Sequence, residues 1–250
     1  MARLKGGSVK PVIEIRHLKK GFEDQMVLKD ISLQLYEGEN LVVMGKSGCG
    51  KSVLVKCIIG LMVPDAGTIN VLGSNVTGRE NGAIDEIREK IGFLFQGGAL
   101  YDSMTVVENL ELHLTRIKKD LSESEIRKKI HEALENVGLP DSHDKMPSEL
   151  SGGMRKRISL ARTIVVEPLI MLYDEPTTGL DPATTEEISM LINEIKIKYK
   201  TSSLIITHDI TCARTTADRI IMMENGVVYS EGDFSSFENS EDPIIKSFFK

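Results

Sequence analysis

The sequence contains no stretch that approaches the roughly 18 consecutive apolar residues a membrane-crossing helix requires, so any service to a membrane is expected from outside the bilayer. Cysteine is scarce. Cys49, Cys57 and Cys212 are odd in number and form no C-x-x-C pair, which argues against a disulfide framework and a zinc site and points to a reducing cytosol. Positive charge is outweighed, with a formal net charge of −6, and this argues against nucleic acid as the main partner. Arg3, Lys5 and Lys10 near the start are followed by no apolar stretch, so no secretory signal is expected. What remains is ordinary soluble-protein composition over 250 residues, enough for one large domain or a core with an inserted lobe.

The most informative stretch is Gly45-Lys46-Ser47-Gly48-Cys49-Gly50-Lys51-Ser52, set between the apolar runs Asn40–Met44 and Val53–Leu61. A G-x-x-x-x-G-K-S loop between a buried strand and a helix is the context of a phosphate-binding loop. Glycine permits the tight backbone nest, and the N–H groups and helix N-terminus then face an anion. Lys51 is placed to reach terminal phosphates and Ser52 to hold Mg²⁺. Before the loop, Val12–Ile15 and Val27–Leu35 read as strands, with Phe22 between them, either covering a strand edge or offering a flat face to a base.

After the loop helix, Pro64–Gly67 reads as a turn, Thr68–Gly73 as a strand, Thr77–Gly82 as a surface loop and Ile84–Lys90 as a short helix. The strand Ile91–Phe95 then ends in Gln96, which is either a surface amide or a group entering a metal's shell. From Gly97 to about Glu149 the pattern turns helical, with a capping box at Ser122–Glu125 and an apolar face of Ile126, Ile130, Ala133, Leu134 and Val137. Leu150-Ser151-Gly152-Gly153-Met154 opens another helix, a second anion-binding tip by the same physics. Arg155, Lys156 and Arg157 crowd its first turn, either near a bound anion or pointing to solvent.

Leu169–Glu175 is an apolar strand ending in two carboxylates, which places Asp174 for Mg²⁺ and Glu175 as a general base worth roughly 10²–10⁴-fold. Asp181-Pro182 suits a helix cap and first helical position, with Thr184–Lys198 following as helix. A last buried strand, Ser203–Thr207, delivers His208-Asp209.

In order and spacing these motifs resemble the nucleotide-binding subunit of an ABC transporter across nearly the whole chain. The resemblance implies one α/β domain over residues 1–250: a P-loop (RecA-like) ABC ATPase core with an N-terminal antiparallel β subdomain and a helical subdomain inserted over 97–165. It implies ATP and Mg²⁺, and a dimer in which the LSGG stretch of one copy closes over the P-loop of another. Phe22 would then be the adenine platform, and Gly45, Lys46, Ser47, Gly48, Cys49, Gly50, Lys51 and Ser52 the Walker A cradle. Gln96 would be the Q-loop, Ser151, Gly152 and Gly153 the signature, Asp174 and Glu175 the Walker B pair, Thr178–Asp181 the D-loop, and His208 the switch. Ser52, Gln96 and Asp174 would share the metal. Cys49 departs from the more frequent serine, at a position whose side chain the phosphate does not need.

Gly97–Val106 after Gln96, with methionine at 154, is similar to the Mla-type ATPases that work with MCE-domain proteins to move phospholipids between bacterial membranes. That narrower resemblance implies a transmembrane permease docking near the Q-loop, an MCE-domain protein in the same complex, and a place on the cytoplasmic face of the inner membrane. The alternative is another ABC importer or exporter, or a cell-division membrane complex, any of which would carry the same motifs. A chromosome-organising or repair ATPase would need a long heptad region between Gly45 and Leu150, and a ribosome-associated cassette protein would carry two cassettes.

Overall fold

The structure is a computed structural model that describes residues 10–23, 25–78 and 83–249. In chain order it contains β1 (Ile13–Phe22), β2 (Gln25–Leu35), β3 (Asn40–Met44), α1 (Lys51–Ile58), β4 (Ala66–Val71), β5 (Ser74–Asn75), α2 (Ala83–Arg88) and β6 (Ile91–Leu94). Three helices follow: α3 (Val106–Ile117), α4 (Glu123–Asn136) and α5 (Gly152–Ile164). The chain then returns to alternation with β7 (Ile170–Asp174), α6 (Pro182–Tyr199), β8 (Ser202–Ile206), α7 (Ile210–Thr216), β9 (Arg219–Glu224), β10 (Val227–Gly232), α8 (Phe234–Glu238) and α9 (Pro243–Lys246).

The strands run in the order β5-β4-β1-β2-β10-β9-β3-β8-β7-β6. At one end, β1 pairs antiparallel with β2 and β4, and β4 with β5. At the other, β9, β3, β8, β7 and β6 are parallel. Their continuous apolar runs follow from burial on both faces. Leu41, Val43, Leu172, Leu204 and Ile206 point into one cluster with α1 and the antiparallel strands. Their alternate neighbours Val42, Met44, Met171, Tyr173 and Ile205 point into the other, with α3–α6. Strand periodicity thus splits each run between two cores.

The antiparallel and parallel halves and the intervening helices follow the expected architecture. Ser122 and Glu125 make the capping box of α4, and Ile130, Ala133, Leu134 and Val137 are buried. Three details differ from the sequence reading. β8 is not the last strand: β9 and β10 form a hairpin across Asn225-Gly226, both left-handed, and β9 lies beside β3 in the middle of the sheet. β1 extends to Phe22, which therefore ends a strand instead of linking two. α1 stops at Ile58, before a left-handed Gly60, where the apolar pattern continued to Leu61. Of the loop expected over 77–82, residues 79–82 lie outside the described residues, as do residues 1–9 of the stretch read for a signal.

Candidate functional site

Four adjacent parallel strands, β3, β8, β7 and β6, end side by side, and each hands over to a residue with a chemical role. β3 leads into the glycine loop, β8 into His208, β7 into Asp174 and Glu175, and β6 toward Gln96. Neighbours in the sheet become neighbours in space at its carboxyl edge. There a cavity of about 660 Å³ is lined by Lys46, Ser47, Lys51, Ser52, Gln96, Glu175 and His208, with Gly48 and Gly50 also exposed to it.

Glycine is required in the loop. Gly50 sits at φ +103°, and a Cβ there would fall 2.6 Å from Leu28 Cδ2; at Gly45 it would fall 2.5 Å from the Met223 carbonyl oxygen. Gly50 is also the N-cap of α1 and has no side chain to cap it. The first N–H groups of that helix are thus left for an anion, with the helix dipole behind them. Lys51 Nζ donates to the carbonyls of Gly45 at 2.6 Å and Lys46 at 3.1 Å, which holds the ammonium over the cradle. Cys49 is half-buried and its thiol pKa is raised by burial, so it is a packing residue and a poor nucleophile.

Ser52 Oγ donates to Asp174 Oδ1 at 3.1 Å. Burial pushes the Asp174 carboxyl above its ordinary range, with the Ser52 bond opposing and the neighbouring Glu175 charge adding to the rise. A cation would relieve that destabilised carboxylate. Hydroxyl, carboxylate and the Gln96 amide are hard oxygen donors of the kind Mg²⁺ takes. Among the described residues no group of three or more His, Cys, Asp or Glu could hold a metal ion by itself. The donors present therefore fit an ion whose remaining ligands are water and phosphate oxygens.

Glu175 is buried yet left-handed, at φ +53°, an unfavourable conformation for a residue with a Cβ. Its N–H donates to the Ile206 carbonyl at 2.9 Å, so β8 holds the turn in place. Its Oε2 accepts from His208 Nδ1 at 2.8 Å and from Thr178 Oγ1 at 3.3 Å. Strain of this kind persists where the surroundings over-determine it, and here it aims a carboxylate into the cavity.

Not every candidate site residue lies at this cavity, and Ser151, Gly152 and Gly153 were expected at that of a second copy. Phe22 is exposed at the end of β1, with Lys20 Nζ 5.5 Å from its ring centroid, and lies outside the lining. Ser151, Gly152 and Gly153 open α5 elsewhere on the surface, with Ser151 Oγ accepting from Met154 N–H at 3.2 Å. Asp181 caps α6 through the Thr184 N–H and hydroxyl, with Pro182 in the first helical turn as expected.

The basic run splits. Arg155 is exposed, whereas Arg157 donates to the Val137 carbonyl and to Glu187. Lys156 is buried and donates to the Gln96 carbonyl, so it neither meets an anion nor faces solvent. Burial depresses its pKa, while Glu175 and Asp174 favour its charged form, and the ammonium braces the stretch that carries Gln96.

Sequence reasoning missed Val27, Ser247 and Phe248, which also line the cavity. It also missed a second, apolar groove of about 230 Å³ beside Gln96, bordered by Leu61, Phe93, Phe95, His113 and Arg162. Burial and the nearby Arg162 and Arg116 push His113 down to about 4, so it is uncharged at neutral pH.

Residues 28–178 match the ABC transporter family. The methionine import ATP-binding protein MetN of Brucella abortus is 34% identical over 96% of this chain, which spans 65% of that protein's length. The probable ribonucleotide transport ATP-binding protein mkl of Mycobacterium leprae is 38% identical over 99% of this chain and 72% of its own. Among solved structures, a dimeric post-hydrolysis state of the ATP-binding cassette MJ0796, bound to ADP and Pi, superposes with a TM-score of 0.81 at 31% identity. That match covers 89% of this chain and 98% of the neighbour.

Proposed function

The chain belongs to the ABC transporter family, and we propose that it is the ATP-hydrolysing subunit of a transporter whose membrane-spanning parts are separate proteins. The observation that carries this is the convergence of Lys51, Ser52, Asp174, Glu175 and His208 at adjacent strand ends. The glycine cradle and Lys51 hold the phosphates of ATP. Glu175 takes a proton from water as the water oxygen bonds to the γ-phosphorus, and the bond from that phosphorus to the β–γ bridging oxygen breaks, leaving ADP and inorganic phosphate. His208 keeps the Glu175 carboxylate aimed and is near enough to the cavity to meet the γ-phosphate. Mg²⁺, held by Ser52, Asp174 and Gln96, would neutralise charge on the phosphate oxygens.

The tip at Ser151–Gly153 has no place in the same chain's cavity, so in this proposal it closes over the P-loop of a second copy, giving two composite sites. Among the described residues no helix is long and apolar enough to cross a membrane. The groove beside Gln96, with its exposed Leu61 and Phe95, is the surface offered to a permease on the cytoplasmic face of the membrane.

For the cargo we propose phospholipid moved with an MCE-type system, supported by the Mla-like stretch Gly97–Val106 and by Met154. A second reading, import of a small solute, is favoured by the similarity to methionine import and ribonucleotide transport proteins. Purification of the intact complex from membranes tests both. An MCE-domain protein and a permease with phospholipid-stimulated ATP hydrolysis support the first, whereas a permease stimulated by a solute-loaded binding protein overturns it.

A further inference from the structure

We propose that Phe248 belongs to the nucleotide cavity as a positioning residue that acts through Lys46 and slows the release of bound nucleotide. The inference rests on the nucleotide-binding reading above and adds a regulating contact to the same site. Ser247 and Phe248, which follow α9, form a wall of the cavity whose floor is the glycine loop. Lys46 Nζ stands 6.0 Å from the centroid of the Phe248 ring. Among the described residues no carboxylate forms an ion pair with Lys46.

The wall is anchored on both sides of the ring. Before it, Asp242 accepts from the N–H groups of Ile244 at 2.8 Å and Ile245 at 3.3 Å, and Tyr229 donates its hydroxyl to Asp242 at 2.7 Å. Ile245 is buried, and Ser247 Oγ donates to the Ile244 carbonyl at 2.7 Å. After it, Phe249 meets the edge of Phe234 at 5.6 Å between centroids, and Phe234 in turn carries the Arg214 guanidinium at 5.2 Å. The chain on either side therefore fixes where Phe248 can point.

A π face orients an ammonium without neutralising it, unlike a carboxylate. Lys46 is thereby kept at the loop with its full charge available to phosphate. An ammonium ordered at the loop holds a bound phosphate longer, so the effect appears in dissociation. A cation–π contact at an exposed site corresponds to about a two- to five-fold change in affinity.

The test is stopped-flow release of a fluorescent N-methylanthraniloyl ADP from the full chain. Phe248→Ala is expected to release it about two- to five-fold faster, Phe248→Trp at the wild-type rate, and Phe248→Leu, which keeps bulk but loses the π face, faster than wild type. In a Lys46→Ala background the Phe248 substitutions should add little, which a merely structural role would not produce. Release from Phe248→Ala and Phe248→Leu at the wild-type rate or slower overturns the assignment, as does equal acceleration with and without Lys46. Failure of the underlying reading is separately visible: wild type would then bind no labelled ADP, and Lys51→Ala would change nothing.

Discussion

Two helices in this chain begin with glycine and serine chemistry suited to an anion, and they have been built to opposite ends. At α1, Gly50 leaves the first N–H groups uncapped, Lys51 is buried above them, and Glu175 and His208 face them across a cavity. At α5, Ser151 spends its oxygen on the Met154 N–H, Ser151 and Gly152 are exposed, and none of Ser151, Gly152 and Gly153 lines that cavity. The backbone electrostatics of the two tips are alike. What separates them is convergence, since only the first lies at the carboxyl edge of a parallel sheet where neighbouring strands deliver reactive groups. Under the proposed function the first tip carries the chemistry, and under the proposed dimer the second supplies donors to another copy.

The largest effect should come from the group found at the first tip alone. Glu175→Gln keeps the shape and removes the base, so steady-state phosphate release should fall about 10²–10⁴-fold while ATP binding persists and a dimer accumulates on gel filtration with ATP. Normal turnover would remove Glu175 from its role. Next is the cation: Lys51→Ala removes a charge-assisted contact and should weaken ATP binding about 10–100-fold by calorimetry. Unchanged affinity would mean that the α1 tip is no more an anion site than an ordinary helix start.

The first tip was legible in sequence and the strand order behind it was not, for a physical reason. β3, β7 and β8 announce themselves as short apolar runs ending in Gly45, Asp174-Glu175 and Thr207-His208. Because sheet strands buried on both faces must be apolar throughout, their polar ends stand out. Strand order is a long-range property, and no local pattern said that β9 would lie between β10 and β3. A local signal for the missed hairpin existed in Asn225-Gly226, a strong two-residue turn pair. Lys156 was misplaced because a lysine in a basic run reads as solvated, and only tertiary packing reveals the Gln96 carbonyl at its tip. Phe248 could not be found at all from spacing, since it reaches the loop from the far end of the described chain.

A smaller effect should distinguish the tips by charge. Among the described residues a Cβ at Gly152 would meet only Leu180 Cδ2, at 3.8 Å, so Gly152→Asp fits sterically, and an acid in the first turn suits an isolated helix. Thermal stability should hold or rise, and ATP binding by the monomer should be unchanged. Hydrolysis that depends on pairing should fall about tenfold or more, because an added carboxylate would face phosphate across the dimer. Full hydrolysis by this variant would show that the α5 tip meets no anion.

The smallest effect concerns what the reactive tip costs the fold. With its pKa raised by burial, folded Asp174 holds a proton more tightly than it does in the unfolded chain. Without metal, its ionised form therefore penalises stability above the folded pKa, and the penalty is relieved as pH falls through that pKa toward the unfolded value. Asp174→Asn should accordingly melt higher than wild type at neutral pH in chelator, with the gap narrowing on acidification, while losing metal-dependent hydrolysis. Excess Mg²⁺ should close the gap from the other side, since it binds the folded carboxylate and stabilises wild type alone. Equal melting of the two proteins in chelator at neutral pH would place the Asp174 carboxylate in a relaxed environment and remove the argument that it awaits a cation.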